Sequence, residues 1–293
     1  MIQNILKPMK ILITGANGFI GSALVRKISH FDILGIDKNE INIGFEDPGI
    51  LIKRYKPTTV IHLGAQIDII ESFKNPKYDL TVNALGTMQL VESAIEHNVK
   101  HFIYINSAGA IYKHVQNHET SENDNVNPQS PYGTSKLVGE KYLQILSANS
   151  EMQWSSLALS NVYGPYKHGR KGLINIIFEN IKQSKKTIIY GKNITRDYVY
   201  ISDVINAIEL TINYPINKRV HISSNIATSN YEVTENISKL LELNSKDYFE
   251  FVEARSNEQQ FCKISNKLAL QEIGWQPKYN LYQGLTEIIE KYE

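Results

Sequence analysis

The chain has 293 residues, 42% of them hydrophobic, and a formal net charge of +1. That is enough apolar content for one large or two modest cored domains, with no electrostatic footprint for nucleic acid or an anionic membrane. A single cysteine, Cys262, excludes an internal disulfide and a thiolate zinc cluster, and fits a reducing, cytoplasmic compartment. No apolar run reaches the roughly 18 residues that span a bilayer. The leader MIQNILKP lacks an apolar core and a cleavage site, and reads as a short extension with Met9 as an internal start.

The first element read from the chain is a strand at Ile11–Ile13, which breaks into glycines spaced G-x-x-G-x-x-G at Gly15, Gly18 and Gly21. An apolar helix, Phe19–Ile28, follows, then a second strand, Ile33–Ile36, ending at Asp37. A strand turning tightly into a helix presents free N–H groups and a positive dipole end to a dinucleotide pyrophosphate. Gly15 is expected to make the turn, Gly18 to let the cofactor approach the backbone, and Gly21 to let the helix pack on the sheet. Asp37, about twenty residues on, is placed to accept hydrogen bonds from the adenosine ribose and to repel a 2′-phosphate, which favours NAD over NADP.

Strands and helices then keep alternating, the pattern of a doubly wound parallel α/β sheet of the Rossmann type. The reading gives a helix at Glu46–Tyr55, a buried strand at Thr59–Leu63, a helix at Asp79–His97 and a strand at His101–Ile105. Lys113–Pro131 is a polar loop, Tyr132–Leu146 a helix and Trp154–Leu159 a strand. Gly164, Pro165, Gly169 and Gly172 break the rhythm, and the change to a smaller C-terminal α/β domain is placed there. Residues 1–163 form the predicted cofactor domain, to which 197–223 return; 164–196 and 224–293 form the second. The pairs His97/His101 and His114/His118 have i, i+4 spacing, but one straddles a helix end and the other lies in a polar loop, so no metal is expected.

Chemistry is expected from Ser107, after the fourth strand, and from Tyr132 and Lys136 in PYGTSK. Residues i and i+4 share a helix face, so phenol and ammonium can point into one cleft. A phenol of pKa near 10 needs roughly 4 kcal/mol of preferential phenolate stabilisation to be half ionised at pH 7. A neighbouring ammonium and an oxidised nicotinamide supply it by charge proximity. Ser107 would hydrogen-bond the reacting hydroxyl and relay its proton. The same Y-x-x-x-K spacing recurs at Tyr163/Lys167 and Tyr214/Lys218, where Pro165 and Pro215 argue against a shared helical face.

TGANGFIG (Thr14–Gly21), HLGAQ (His62–Gln66), IYINSAGAIY (Ile103–Tyr112), PYGTSK, NVYGP (Asn161–Pro165) and RDYVYISDV (Arg196–Val204) stand in one order along the chain. Together they resemble the extended short-chain dehydrogenase/reductases, and within them the UDP-glucose and UDP-N-acetylglucosamine 4-epimerases. The resemblance implies that Tyr132 is the base, Ser107 its partner, and Lys136 the residue that binds the nicotinamide ribose. It implies cofactor contacts from Asn17, Phe19, Ile20, Leu63, Ala65 and Asn83, and adenine contacts from Asn42 and Ile43, with Asn42 replacing the usual acid. Asn161, Leu173, Arg196, Arg255 and Glu258 would hold a nucleotide-sugar in the second domain, the arginines on the diphosphate as planar two-bond donors. Cys262 stands where epimerases restricted to glucose and galactose resemble one another in carrying tyrosine; a small residue there favours N-acetylated sugars, or is simply a packing residue. The implied protein is an NAD-dependent UDP-hexose 4-epimerase and a homodimer through Asp79–His97 and Tyr132–Leu146. Alternatives left open are a 4-keto-sugar reductase and a cofactor-sensing regulator. Ala108–Gly109 after Ser107 speak against a dehydratase, which resembles its relatives in carrying Asp-Glu there.

Overall fold

The computed structural model describes residues 9–165, 172–255 and 258–292. The leader up to Pro8, Lys167 of the second Y-x-x-x-K pair and Gly169 lie outside the described residues. In chain order the first elements are β1 (Lys10–Thr14), α1 (Phe19–Lys27), β2 (Asp32–Ile36), α2 (Gly49–Tyr55) and β3 (Thr59–His62). Then come α3 (Ile69–Lys74), α4 (Pro76–Leu80), a π-helical turn at Thr81–Leu85, α5 (Gly86–Glu96), β4 (His101–Ser107) and α6 (Ala108–Ile111). They are followed by α7 (Pro131–Ser147), β5 (Gln153–Leu159), β6 (Asn161–Tyr163), α8 (Leu173–Lys182) and β7 (Thr187–Tyr190). Next are β8 (Thr195–Tyr200), α9 (Ile201–Asn213), β9 (Arg219–Ile222), β10 (Ala227–Ser229) and α10 (Asn230–Leu240). The chain closes with α11 (Ser245–Tyr248), β11 (Phe249–Val252), α12 (Lys267–Ile273) and α13 (Leu281–Tyr292).

A six-stranded sheet runs in the order β2-β1-β3-β4-β5-β9, the doubly wound arrangement expected, with β1 pairing in parallel to β2 and β3, and β3 to β4. The fully buried triplet Ile11, Leu12, Ile13 suits a central strand covered on both faces. Two compact units divide the chain: Met1–Asn106 with Pro128–Leu157 and Ile208–Arg219, and Ser107–Asn127 with Ala158–Ala207 and Val220–Glu293. The first has a core of Leu12, Ile36, Ile52, Val60, Leu90, Phe102, Tyr104 and Leu143. The second contains a three-stranded sheet, β10-β8-β6, and a parallel pair, β7 and β11.

Three elements differ from their sequence reading. The helix expected from Glu46 starts at Gly49, because Pro48 has no N–H to give a preceding turn and sits at the N-cap. The helix expected over Asp79–His97 is interrupted by the π-turn, centred on Asn83, whose carbonyl accepts the Thr87 hydroxyl at 2.6 Å. The fourth strand continues to Ser107, which also stands at the N-cap position of α6. No helix among the described residues is long and apolar enough to cross a membrane.

Candidate active site

In the first unit the glycine loop divides its labour by geometry. Gly15 turns with φ +69, a conformation that side chains rarely adopt. A Cβ on Gly21 would lie 2.1 Å from the Gly15 carbonyl, so the close packing it permits is against the turn itself rather than against the sheet. A Cβ on Gly18 would meet only the Gly15 carbonyl, at 3.1 Å, which leaves its open side to a ligand. Helix α1, which Phe19, Ile20 and Gly21 open, has no acidic residue in its first turn and no side-chain cap at Gly18. It therefore carries no resident anion of its own, as a pyrophosphate-binding helix end requires. Asp37 follows β2 and its Oδ2 accepts the Asn17 N–H at 3.2 Å, fastening the loop to the second strand. The turn at Asn42 and Ile43 is held by the Asn42 N–H on Glu46 Oε2 at 2.6 Å, and Ile43 lies so close to Gly86 that a Cβ there would approach its Cγ2 at 2.7 Å.

The segment after β3, with half-buried Leu63 and Ala65, is tied to the helices by Asn83. The buried Asn83 amide accepts the Gln66 N–H at 2.8 Å and donates to the Gln66 carbonyl at 2.9 Å, to Asp79 Oδ1 at 3.1 Å and to Ser135 Oγ at 3.2 Å. Asp79 accepts further bonds from Gln66 Nε2 and from Ser135. His62 joins the loop to the π-turn. Thr87 donates to the Asn83 carbonyl, so His62 Nε2 is the donor to Thr87 at 3.0 Å and Nδ1 accepts from Thr14 at 2.7 Å. Burial first, and Lys136 second, push its pKa down to about 3, so this ring is neutral and its tautomer follows from its partners.

Pro131 opens α7, and Ser130 caps it by accepting the Gly133 N–H at 3.1 Å. Tyr132 is half-buried in the first turn, and Lys136, one turn on, is 3% exposed. Burial pushes the Lys136 ammonium down to about 7 against the pull of Glu140 and Asp79. Of the two other Y-x-x-x-K pairs, Tyr214 and Lys218 fall between α9 and β9, outside any helix.

In the second unit, Ser107 ends β4 half-buried at the N-cap of α6. A cavity of 360 Å³ brings together Asn161, Leu173, Arg196, Arg255 and Glu258, beside Asn175, Tyr190 and Tyr198. Arg196 donates through Nη1 to the Thr195 and Gln259 carbonyls at 2.8 and 2.7 Å, and its Nη2 lies 3.4 Å from Glu258 Oε1. Arg255 stacks over the Tyr190 ring at 4.2 Å. Glu258 Oε2 is buried with no hydrogen-bond partner among the described residues, so it retains accepting capacity. Cys262 is 1% exposed and is not part of the cavity lining. Its N–H donates to Thr195 Oγ1 at 3.2 Å, its Sγ lies 3.8 Å from His114 Nε2, and burial pushes its thiol up to about 12.

Some supporting residues escaped the sequence reading. Glu140 repeats the Tyr132, Lys136 spacing for another turn, and that i, i+4 series could have found it. Tyr104 carries no such signal, since nothing local distinguishes it from other strand aromatics.

Residues 11–227 match the NAD dependent epimerase/dehydratase family. A UDP-glucose 4-epimerase of Mycolicibacterium smegmatis is 31% identical over 96% of this chain and 98% of its own. A putative UDP-glucose 4-epimerase of Methanocaldococcus jannaschii is also 31% identical, over 95% of this chain and 97% of its own. The crystal structure of a Thermotoga maritima UDP-glucose 4-epimerase with UDP-glucose is similar at a TM-score of 0.90 and 27% identity, covering 97% of this chain and 98% of that one. The chain belongs to the NAD dependent epimerase/dehydratase family, and the resemblance to the extended short-chain dehydrogenase/reductases is borne out.

Proposed function

We propose that the protein is an NAD-dependent 4-epimerase of a UDP-hexose, working through a 4-keto sugar. Tyr132 takes the proton of the C4 hydroxyl, Ser107 hydrogen-bonds that oxygen, and Lys136 binds the nicotinamide ribose and favours the phenolate. NAD, held by the Gly15–Gly21 loop and Asp37, supplies reversible hydride acceptance, so no cofactor is consumed. Arg196 and Arg255 grip the diphosphate while Asn161, Leu173 and Glu258 hold the rest of the nucleotide end, leaving the keto sugar free to turn and be reduced on its other face.

The observation that carries the substrate reading is the cavity in which two arginines converge with Asn161, Leu173 and a Glu258 oxygen that retains an open acceptor site. Paired guanidinium groups suit a diphosphate better than a single carboxylate, because each donates two parallel bonds. Cys262 does not line that cavity, so the preference for an N-acetylated sugar rests on the resemblance alone. The same reading includes a homodimer. Phe73 on α3, Leu80 on α4, and Tyr142 and Ile145 on α7 are exposed, and α3 and α4 both pack on α7. Large exposed apolar side chains on helices that pack together suit burial against a second copy.

The test is purified protein with UDP-glucose, and separately UDP-N-acetylglucosamine, without added cofactor, the C4 epimer being followed by chromatography. Interconversion of either is expected, and faster turnover of the N-acetylated sugar supports the reading of Cys262. Turnover of a 4-keto sugar that requires stoichiometric NADH would replace the epimerase by a reductase. Silence in both assays would leave a cofactor-sensing regulator.

A further inference from the structure

A buried lysine ordinarily needs a carboxylate beside it, and Lys136 lacks one. Among the described residues its Nζ makes no salt bridge or hydrogen bond, and its direct contact is the face of the Tyr104 ring, 4.1 Å from Nζ to the centroid. Tyr104 is fully buried on β4 and is tied to the same helix at its other end, its hydroxyl donating to the Lys136 carbonyl at 3.1 Å. Gly139 makes room for this arrangement: a Cβ there would stand 2.9 Å from the Tyr104 hydroxyl. The tyrosine thus meets Lys136 twice, through its ring and through its oxygen.

The charged and titratable groups around the lysine come from four elements. Glu140 and Tyr132 share α7, Asp79 belongs to α4, His62 to β3 and Tyr104 to β4. The two carboxylates act at a distance, because both are committed elsewhere. Glu140 accepts from Asn106, Ser156 and Arg219, and Asp79 from Gln66, Asn83 and Ser135. His62 is neutral and Tyr104 is held in its phenol form by burial. What touches the ammonium directly is the electron-rich ring face.

We propose that Tyr104 is a positioning residue for Lys136: its ring holds the ammonium by a cation–π contact and keeps it charged where a carboxylate would otherwise stand. This rests on the reading that Lys136 serves the reaction and binds the cofactor ribose. A carboxylate at this place would neutralise the lysine and compete with its ligand for the ammonium's donors. A ring face attracts the charge and leaves the three N–H bonds available. Because burial already draws the ammonium toward neutrality, loss of the ring's attraction shifts deprotonation to lower pH.

The test replaces Tyr104 by phenylalanine, then by 4-fluoro-, 3,5-difluoro- and 3,4,5-trifluorophenylalanine, which drain the ring face stepwise with little change in shape. Two readouts are followed between pH 6 and 9: kcat for sugar epimerisation, and the Kd of NADH by nicotinamide fluorescence. From phenylalanine to the trifluoro ring, kcat at pH 8.5 is expected to fall and Kd to rise, each by about two- to fivefold. The alkaline limb should move to lower pH with each fluorine, while thermal unfolding midpoints stay together. A flat series in both readouts, with folding intact, would overturn the proposal. Lys136→Met separates the two levels: if it keeps both kcat and NADH affinity, the reading of Lys136 fails, whereas a damaged Lys136→Met beside a flat fluorine series condemns only the ring's role.

Discussion

In the proposed reaction the proton is taken by one oxygen, that of Tyr132 in the first turn of α7, where the chain has just left Pro131 and the Ser130 cap. Replacing it by phenylalanine removes the proton acceptor and leaves the ring packing, so kcat should drop by about 10²- to 10⁴-fold. NADH titration should still show binding, because the glycine loop and Asp37 are untouched; a Phe variant with near-normal kcat would remove Tyr132 from the role of base. Cys262 allows a second test. The thiol is packed against His114, and the Cys262 N–H donates to Thr195, the neighbour of Arg196, so Cys262→Tyr must displace neighbours as well as fill space. Selective loss of turnover on the N-acetylated sugar relative to UDP-glucose is expected. Equal loss on both, with a lowered unfolding midpoint, would make Cys262 a packing residue alone.

Among elements, α7 is fastened to the sheet by one carboxylate. Glu140 is fully buried and takes donors from Asn106 at 2.7 Å, from Ser156 at 2.6 Å and from the Arg219 guanidinium, so it clamps β4, β5 and β9 to the helix that carries Tyr132 and Lys136. Glu140→Ala removes the carboxylate to which the largely buried Arg219 guanidinium donates, which should destabilise folding by about 3–5 kcal/mol. The double variant Glu140→Gln with Arg219→Met removes both charges and should recover most of that loss in urea unfolding. A double variant as unstable as the single one would mean that the hydrogen bonds, not the charge pair, hold the clamp. This clamp marks the limit of what the sequence discloses. The helix itself was legible, from Leu137, Tyr142 and Ile145 at helical spacing, although Tyr142 and Ile145 are exposed rather than buried, as was the glycine turn, from three glycines behind a β-branched strand. The resemblance placed Asn83 near the cofactor, but the use of its amide in bonds inside the protein was not legible, nor was the π-turn around it. Those features depend on Gln66 and Ser135 as well as the nearby Asp79, and Gln66 and Ser135 are distant in sequence and reach Asn83 only when the segment after β3 and α7 pack beside it. For the same reason Arg196 and Arg255 carried no local sign of convergence, and only the resemblance placed them on one ligand.

For the whole molecule, the exposed apolar side chains of α3, α4 and α7 and the buried imidazoles lead to separate expectations. Ile145→Arg places a charge where a second copy would pack, and should turn a dimer into a monomer by light scattering behind size exclusion. A wild-type protein already monomeric at micromolar concentration would dismiss the dimer. The response to acid follows from histidines that fold in the neutral state. Burial lowers His62 to about 3, and His101 and His114 to about 4, against about 6.5 in the unfolded chain. Each depressed pKa contributes stability that is present above pH 6.5 and is lost as pH falls toward the folded value, because the unfolded chain takes up the proton first. Asp197 works in the opposite sense. Burial raises it to about 6, so between that pH and about 4 the folded protein binds a proton that the unfolded chain does not. Three histidines set against two aspartates, Asp197 and Asp203, which burial raises, predict that unfolding free energy falls by about 1–3 kcal/mol per pH unit between pH 6.5 and 5. Urea unfolding at pH 7, 6 and 5 measures that slope, and His101→Gln should lower it by roughly one proton, or about 1.4 kcal/mol per pH unit. An unchanged slope in that variant would mean that His101 is not buried in its neutral form, and that the 2.8 Å bond between its Nε2 and Ser155 holds an imidazolium instead.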